Sequence, residues 1–170
     1  FCWKHEPNMD PFRHVQVSID RRFLVYEKNG SVYRVDLKTG HEKPFLVKPN
    51  ESVSGMMFSP NGQVLAIALE KKLCIQGYSM ADERLLWELP LHGGPIKEFC
   101  WSRDQATLVT LSMDRCIRTY DIAMRRITTQ IPLSMQEPRK LAIPPDEKAI
   151  FVLDEHGTII RLPISLETGK

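Results

Sequence analysis

The stretch that decides the fold lies between residues 96 and 121, where three short segments alternate with turns. It reads Ile96–Asp104 (IKEFCWSRD), Thr107–Ser112 (TLVTLS) and Cys116–Asp121 (CIRTYD). Each segment is rich in β-branched and aromatic residues and is bounded by polar residues that favour turns, which is typical of β-strands. No window of more than ten residues keeps the apolar spacing of a helix. The sequence therefore predicts an all-β protein.

The same pattern repeats along the chain at a nearly constant interval. A step of 42 residues carries Ile117 onto Ile159 without a gap. Backwards, the same step carries Leu108 onto Ala66 and Ile117 onto Ile75. Repetition at a fixed period indicates an array of similar structural units rather than one irregular domain.

Four repeat units follow from this interval. We place them at about residues 11–48, 49–91, 92–133 and 134–170, and residues 1–10 form a leader or the outer strand of a neighbouring unit. Each unit holds three strands in the same order, and a fourth, outer strand is indicated at Leu85–Leu89 and at Arg126–Ile131. A period of about 40–45 residues with four strands is the spacing of a β-propeller blade. The prediction is about four blades, each an antiparallel four-stranded sheet.

Composition limits the class of function. The chain has 170 residues, 42% of them apolar, and a net charge of +2, which argues against a strongly basic nucleic-acid module. Its apolar runs are far shorter than the roughly 20 residues of a membrane span, so we predict no transmembrane segment. No signal peptide is visible.

The four cysteines contain no C-x-x-C pair and are predicted to be buried free thiols, which indicates an intracellular protein, cytoplasmic or nuclear.

Residues 92–121 resemble a WD repeat. His92 stands at the family's histidine position, Ser102–Gln105 stand in for its first turn, and Tyr120-Asp121 stand in for its closing Trp-Asp pair. The other units keep this motif only in part. The resemblance implies a hydrogen-bonded structural tetrad made of four residues: His92, a strand hydroxyl from Thr110 or Ser112, Asp114 and Tyr120.

The sequence contains no clear catalytic, metal-binding or phosphate-binding motif. His92 and Asp114 could suggest a catalytic pair, but the structural tetrad explains both residues better. The remaining histidines have no partner at metal-ligand spacing, and no glycine-rich phosphate loop occurs. We therefore predict that the protein is not an enzyme and that it has no metal site and no cofactor. A propeller enzyme would instead carry inward-facing Asp, Glu or His around a central channel.

The leading functional prediction is a non-catalytic protein–protein interaction scaffold that acts within a multiprotein complex. In a repeat scaffold the exposed loops carry the binding residues. The turns between second and third strands, together with the connections near Pro49–Ser52, His92–Pro95 and Ser134–Pro138, are expected to share one face. The candidate partner-binding residues in those turns are Asn29, Lys71, Lys72, Arg115 and His156.

Binding of RNA or of an acidic phospholipid such as a phosphoinositide is the alternative. Four basic pairs lie beside turns and could converge on one face: Arg21-Arg22, Lys71-Lys72, Arg125-Arg126 and Arg139-Lys140. A steep loss of binding with salt would identify this class of ligand.

A propeller closes its blades into a ring, and the resembled family indicates how many blades that ring has. The resembled family commonly closes with seven blades, so we expect these four blades to be part of a larger, seven-bladed ring. The last unit lacks a convincing outer strand after Pro163, and Phe1–Lys4 resemble a lone strand. That strand could complete the last blade or belong to a blade upstream. Because the chain begins at Phe1, we expect it to be a piece of a longer protein or a partial propeller finished by a partner.

Overall fold

The computed structural model describes residues 13–46, 51–89, 93–135 and 137–164. Within these ranges no helix is long and apolar enough to cross a bilayer. The described residues form fifteen strands: β1 (Arg13–Val17), β2 (Phe23–Lys28), β3 (Ser31–Asp36), β4 (Glu42–Leu46), β5 (Val53–Phe58), β6 (Val64–Leu69), β7 (Cys74–Ser79), β8 (Leu85–Leu89), β9 (Ile96–Trp101), β10 (Thr107–Ser112), β11 (Cys116–Asp121), β12 (Arg126–Pro132), β13 (Pro138–Ala142), β14 (Ala149–Asp154) and β15 (Ile159–Pro163).

The strands form four antiparallel sheets, each made of strands that are consecutive in the chain. Their orders are β1-β2-β3-β4, β5-β6-β7-β8, β9-β10-β11-β12 and β13-β14-β15. We call these sheets blades 1 to 4. The prediction of an all-β protein built from antiparallel blades is confirmed. Blades 1 to 3 have the predicted four strands, and blade 4 has three strands within the described residues.

The first strand of each blade lies at the centre of the array. Strand β1 packs beside β5, β5 beside β9, and β9 beside β13. The outer strands lie towards solvent, and nearly every residue of β12 is exposed. The blades therefore fan out from a common inner edge, and each blade has a forward face towards the next blade and a rear face towards the preceding one.

The hydrophobic core lies between the blades. Successive side chains of a strand point to opposite faces, so one blade contributes to the interface on each side. Burial of a Val, Leu or Ile side chain contributes about 1.5–3 kcal/mol to stability. The buried residues include Val25, Val32, Leu65, Ile67 and Tyr78 between blades 1 and 2; Ala66, Ile75, Phe99, Leu108 and Tyr120 between blades 2 and 3; and Val109, Leu111, Ile117, Ile150 and Val152 between blades 3 and 4.

One turn recurs at the end of the first strand in three blades. A serine hydroxyl donates to the side-chain oxygen of an Asp or Asn two residues later and accepts the backbone N–H five residues later. These turns form because the short polar side chains replace backbone partners that the bend removes. The donor–acceptor distances are 2.6 Å for Ser18 and Asp20, 2.7 Å for Ser59 and Asn61, and 2.6 Å for Ser102 and Asp104.

This turn corrects the predicted alignment of blade 2 with blade 3. Ser59 and Ser102 occupy the same turn position, so the step between them is 43 residues. Leu108 therefore corresponds to Leu65, and the predicted match with Ala66 is wrong. The difference matters, because a slip of one residue moves a side chain to the other face of its sheet. Leu65 packs against blade 1, whereas Ala66 packs against blade 3.

A glycine inside β7 makes room for the largest side chain of blade 2. A Cβ atom at Gly77 would lie 2.1 Å from Trp87, so only glycine lets the indole ring lie flat on the neighbouring strand. Trp87 is buried and meets Trp101 of blade 3 edge to face, with ring centroids 5.8 Å apart. Edge-to-face contact is favourable for aromatic rings. The glycine thus supports the interface between blades 2 and 3.

The cysteines of the described residues form no disulfide. Cys74 is buried, and Cys100 and Cys116 are half-buried. Burial raises the pKa of the Cys100 thiol to about 12, so this group is protonated at neutral pH. A protonated thiol is a poor nucleophile. Cys2 lies outside the described residues.

Candidate functional site: the turn face

One edge of the four blades collects turns and connections from every blade. It carries the β2–β3, β6–β7, β10–β11 and β14–β15 turns and the connections that enter β5, β9 and β13. We call this edge the turn face. Backbone hydrogen bonds join turns to connections: the Glu70 N–H donates to the Ser52 carbonyl at 2.8 Å, and the Met113 N–H donates to the Pro95 carbonyl at 2.8 Å.

Asn29 lies at the tip of the blade 1 hairpin. Asn29 has a φ of 53° and Gly30 a φ of 76°, the positive pair of a type I′ turn, which joins two antiparallel strands tightly. The Glu27 carboxylate accepts the Gly30 N–H at 2.7 Å. Asn29 is exposed, so its amide is available on the turn face.

Lys71 and Lys72 lie in the longer β6–β7 turn of blade 2. Both residues are exposed. The Lys71 N–H donates to the Glu51 carboxylate at 3.1 Å, which fixes this turn to the connection between blades 1 and 2. The turn ends at Leu73 with a φ of 54°. The two ammonium groups therefore project from a backbone that hydrogen bonds hold in place.

Arg115 occupies the same position in blade 3. It is exposed and has a φ of 60°. Its carbonyl accepts the Leu133 N–H at 2.8 Å, which ties the β10–β11 turn to the connection towards blade 4. Met113 lies in the same turn and is 57% exposed. An exposed cation and an exposed apolar side chain thus lie in one turn.

His156 lies in the blade 4 turn, beside an ion pair. Its side chain is 70% exposed, and its Nε2 lies 3.7 Å from Oε1 of Glu155. Glu155 binds Arg139 at 2.5 Å. Hydrogen bonding from the Arg139 guanidinium lowers the pKa of the Glu155 carboxyl. The turn backbone is fixed by Asp154, which accepts the His156 N–H at 2.9 Å.

Asp114, a member of the predicted tetrad, is a hydrogen-bonding centre on the turn face. It accepts the Gly93 N–H at 3.1 Å and the Cys116 N–H at 3.1 Å, and it forms an ion pair with Arg118 at 2.6 Å. Burial acts to raise the pKa of this carboxyl, but the hydrogen bonds and the charge of Arg118 outweigh it, so the pKa lies below its usual value. His92 lies outside the described residues.

The other tetrad candidates line the rear face of blade 3. The Ser112 hydroxyl donates to the Gly94 carbonyl at 2.8 Å, and Thr110 is hydrogen-bonded to Tyr120. Tyr120 is fully buried, and burial raises the pKa of its hydroxyl. Ser112 thus contacts the connection that follows His92, whereas Thr110 contacts the tyrosine.

Sequence reasoning missed Arg118 as the partner of Asp114. Its side chain is 8% exposed and lies in the middle of β11, a place that charged residues rarely occupy without a partner. A signal was present, because an arginine stands inside an apolar strand four residues after an aspartate in a turn.

A polar cleft of about 270 Å³ opens on the turn face between blades 1 and 2. Glu27, which lines it, is only 7% exposed although the equivalent positions in the other blades are apolar. The cleft joins the blade 1 hairpin to the connection that enters β5. Its lining residues are Arg13, Glu27, Asn29, Gly30, Glu51, Ser52 and Val53.

The four basic pairs do not meet on one face. Lys71-Lys72 lie on the turn face, whereas Arg21-Arg22 and Arg125-Arg126 lie at turns of the opposite edge. The pair Arg139-Lys140 belongs to the inner strand β13, where Lys140 binds Glu98 at 2.6 Å. These pairs therefore do not converge on one face, as the alternative would require, because the segments that carry them lie at both edges of the sheets.

The cations nearest Arg21-Arg22 contact an aromatic ring and a shared carboxylate. The guanidinium groups of Arg22 and Arg34 lie 4.8 and 4.7 Å from the ring centroid of Phe23. Arg34 and Lys43 both bind the Glu83 carboxylate, at 3.0 and 2.7 Å. This cluster therefore links blade 1 to the β7–β8 turn of blade 2.

Metal chemistry has no candidate in the described part of the chain. No group of three or more His, Cys, Asp or Glu side chains there is placed to hold a metal ion.

Comparison with known proteins identifies the fold. The structure matches 1465 chains of solved structures. Among them is a chain from "Crystal Structure of Mitotic Checkpoint Complex", with a TM-score of 0.78 and 14% sequence identity. The fold is that of a β-propeller. The match covers 92% of this chain but 50% of that chain, so the propeller described here spans half the length of the matched chain.

Sequence comparison adds no relative to this structural match. No family model matches this chain, and no curated protein matches it. An identity of 14% shows a shared fold alone.

Proposed function

We propose that this chain is a non-catalytic protein–protein interaction scaffold and that its turn face binds a protein partner within a multiprotein complex. The observation that carries the proposal is the collection of exposed polar side chains from all four blades on one edge. Hydrogen bonds fix the backbone of these turns, so a partner would bind without a large loss of loop entropy. Binding residues are commonly found on loops that a rigid scaffold positions.

The proposed contact residues are Asn29, Lys71, Lys72, Arg115 and His156. All five are exposed. Three of them are cations at neutral pH, which favours a partner with an acidic surface, because complementary charge speeds association and selects the partner. The matched propeller chain comes from the structure of a complex, and this supports a similar setting for the present propeller. Three free thiols among the described cysteines fit a reducing compartment, the cytoplasm or the nucleus.

The structural tetrad is part of the same proposal. We propose that His92 joins Asp114, Tyr120 and the hydroxyl of Thr110 or Ser112. The hydrogen bond from the Gly93 N–H to Asp114 supports it, because it brings the residue next to His92 against that carboxylate. Replacement of His92 by alanine should then lower the midpoint of urea unfolding. An unchanged midpoint contradicts the tetrad.

A larger, seven-bladed ring is the proposed context of the four blades. The match to a chain of which this propeller covers half supports a ring with further blades. Resemblance to WD repeats in residues 92–121 supports seven as their total number, since that family commonly closes with seven.

The scaffold proposal is tested with a triple charge reversal on the turn face: Lys72→Glu, Arg115→Glu and His156→Glu. Affinity capture from cell extract is compared between the parent chain and the variant by quantitative mass spectrometry. We expect the variant to lose specific proteins that the parent chain retains.

A matched control reverses three exposed cations at the opposite edge: Lys38→Glu, Arg103→Glu and Lys148→Glu. This control changes the net charge by a similar amount, so it separates the turn face from a general charge effect. We expect it to retain the proteins that the turn-face variant loses. If both variants retain the same proteins as the parent chain, the turn face is not the contact surface.

Binding of RNA or of a phosphoinositide membrane stays the alternative. Lys71, Lys72 and Arg115 are the exposed cations that would carry it on the turn face. Titration with single-stranded RNA and with phosphoinositide vesicles at two salt concentrations distinguishes it, because phosphate binding falls steeply with salt. Tight, salt-sensitive binding that the turn-face variant abolishes would favour this alternative over a protein partner.

A further inference from the structure

The forward faces of the blades repeat one set of three positions, which are apolar in every blade except at Glu27 of blade 1. Cross-strand pairing places them in register: the first two lie on the second strand of each blade and the third on the third strand. In blades 1 to 3 these positions lie on the side of the sheet that faces the following blade. The equivalent residues are Val25, Ala66, Val109 and Phe151; Glu27, Ala68, Leu111 and Leu153; and Val32, Ile75, Ile117 and Ile159.

In blade 3 these positions are the centre of an interface. Val109, Leu111 and Ile117 are each 0% exposed, because blade 4 covers them. The corresponding residues of blade 2 are likewise fully buried against blade 3. In blades 2 and 3 the forward face is thus a contact surface, and the rear face of the next blade covers it.

Blade 4 carries the same surface, and no rear face covers it among the described residues. Leu153 is 36% exposed and Ile159 is 65% exposed, and Phe151 is half-buried. None of the three belongs to a cluster of buried apolar side chains among the described residues. Single exposed apolar residues are ordinary on a protein surface, but adjacent ones that form a patch mark a contact surface.

A cleft of about 310 Å³ lies on this face. Its one charged lining residue, Lys140, has its ammonium group bound to Glu98 at 2.6 Å, so its aliphatic stem lines the cleft. The lining is otherwise apolar: Leu141, Ala142, Phe151, Val152, Leu153 and Ile159.

The free edge of blade 4 matches the open face. Strands β3, β7 and β11 each pair with an outer strand, whereas β15 has none within the described residues. An unpaired edge presents backbone donors and acceptors to a further strand. Within the described residues, blade 4 therefore has no covering blade on its forward face and no partner strand at its outer edge.

We infer that the forward face of blade 4 is a docking surface for the rear face of one further blade of the same repeat. Continuity with three existing interfaces identifies the occupant, since the same register positions are covered by a rear face each time. That rear face presents apolar residues, such as Leu65 in blade 2 and Leu108 in blade 3. This inference rests on the proposed larger ring and places the next blade of that ring on the forward face of blade 4.

The experiment supplies a fifth blade by joining a second copy of the chain through a glycine–serine linker of about ten residues. In this tandem protein, blade 1 of the second copy follows blade 4 of the first. The first copy carries Ile159→Cys, and its alkylation by iodoacetamide is followed on the peptide that contains this cysteine. We expect at least tenfold slower alkylation than in the single chain with the same substitution.

The control is Met113→Cys in the first copy, since Met113 is exposed on the turn face and away from the proposed contact. Its alkylation should be equally fast in the tandem and in the single chain. Equal rates for Ile159→Cys in the two proteins overturn the inference.

A further variant tests which surface covers Ile159. Val17 lies on the rear face of blade 1, opposite Leu24, and is 50% exposed, so Val17→Glu should leave the fold intact. Placed in the second copy, it should restore fast alkylation of the Ile159→Cys cysteine. Protection that survives Val17→Glu means that another surface covers Ile159, and it overturns the inference. No partner is added in these measurements, so their outcome is independent of the turn-face test.

Discussion

Arg118 holds the Asp114 carboxylate with two hydrogen bonds, from Nη1 to Oδ1 at 3.1 Å and from Nη2 to Oδ2 at 2.6 Å. The two side chains are 8% and 16% exposed. Two parallel hydrogen bonds between a guanidinium and a carboxylate are stronger than neutral ones and fix the geometry of both groups. This pair joins β11 to the β10–β11 turn, and through the Gly93 N–H it holds the connection from blade 2.

Removal of the Asp114 charge should destabilise the fold, because it removes the carboxylate that binds the buried Arg118 guanidinium. We predict that Asp114→Asn lowers the free energy of unfolding at pH 7 by about 2 kcal/mol, below the full cost of a broken buried pair because asparagine keeps an acceptor. Urea denaturation measures the change. Asp146→Asn is the control, since Asp146 is exposed and accepts one turn N–H. Equal losses for the two variants would contradict the role of the ion pair.

The contribution of Asp114 should depend on pH with a defined sign. Its pKa in the folded state lies below the usual value of 3.8. The stability it contributes is therefore fully present above the unfolded-state pKa, near 4, and is lost as the pH falls through the lower folded-state pKa. We predict that the difference in unfolding free energy between the parent chain and Asp114→Asn shrinks from pH 5 to pH 3. A constant difference over that range would contradict the prediction.

A methyl group at position 77 should disrupt the interface between blades 2 and 3. Its carbon would lie 2.1 Å from Trp87, so Gly77→Ala requires the indole to move away from Trp101. We predict a loss of about 3 kcal/mol in urea unfolding, at the upper end for overpacked cores. At Gly55 the corresponding contact is 3.2 Å, to the ring of Phe99, so Gly55→Ala should cost less.

The mechanism behind that loss is tested by a double substitution. Trp87→Leu removes the ring that the new methyl group would strike. The loss for Gly77→Ala plus Trp87→Leu should therefore be smaller than the sum of the single losses. Additive losses would mean that Gly77 matters for another reason.

Much of the fold was predictable from local sequence because each strand and turn is encoded within its own repeat. The spacing of Ile117 and Ile159 gives the length of a blade, and Asp or Asn after a serine marks the first turn. The alignment of Leu108 with Ala66 failed because the β6–β7 turn is one residue longer than the β10–β11 turn, so the step between blades 2 and 3 is 43 residues before this turn and 42 after it. Turn length tolerates such insertions, whereas the strand register does not.

The site was less predictable because its contacts join residues distant in sequence. Asp114 was identifiable as a turn residue, but its bond to the Gly93 N–H spans 21 positions. The ion pair of Arg118 with Asp114 was not predicted, because a single charged residue in a strand does not reveal its partner. Whether the basic pairs converge could not be predicted, because adjacency in sequence says nothing about which edge of a sheet a turn occupies.

Truncation of two equivalent isoleucines should destabilise the fold to very different extents. Ile117 and Ile159 hold the same register position, but Ile117 is 0% exposed and Ile159 is 65% exposed. We predict that Ile117→Ala costs about 3 kcal/mol, because it leaves a cavity between blades 3 and 4, whereas Ile159→Ala costs less than about 0.5 kcal/mol in the single chain. Urea unfolding of both variants measures the difference. Similar losses would mean that Ile159 is already covered in the single chain, and its forward face would then not be open to a further blade.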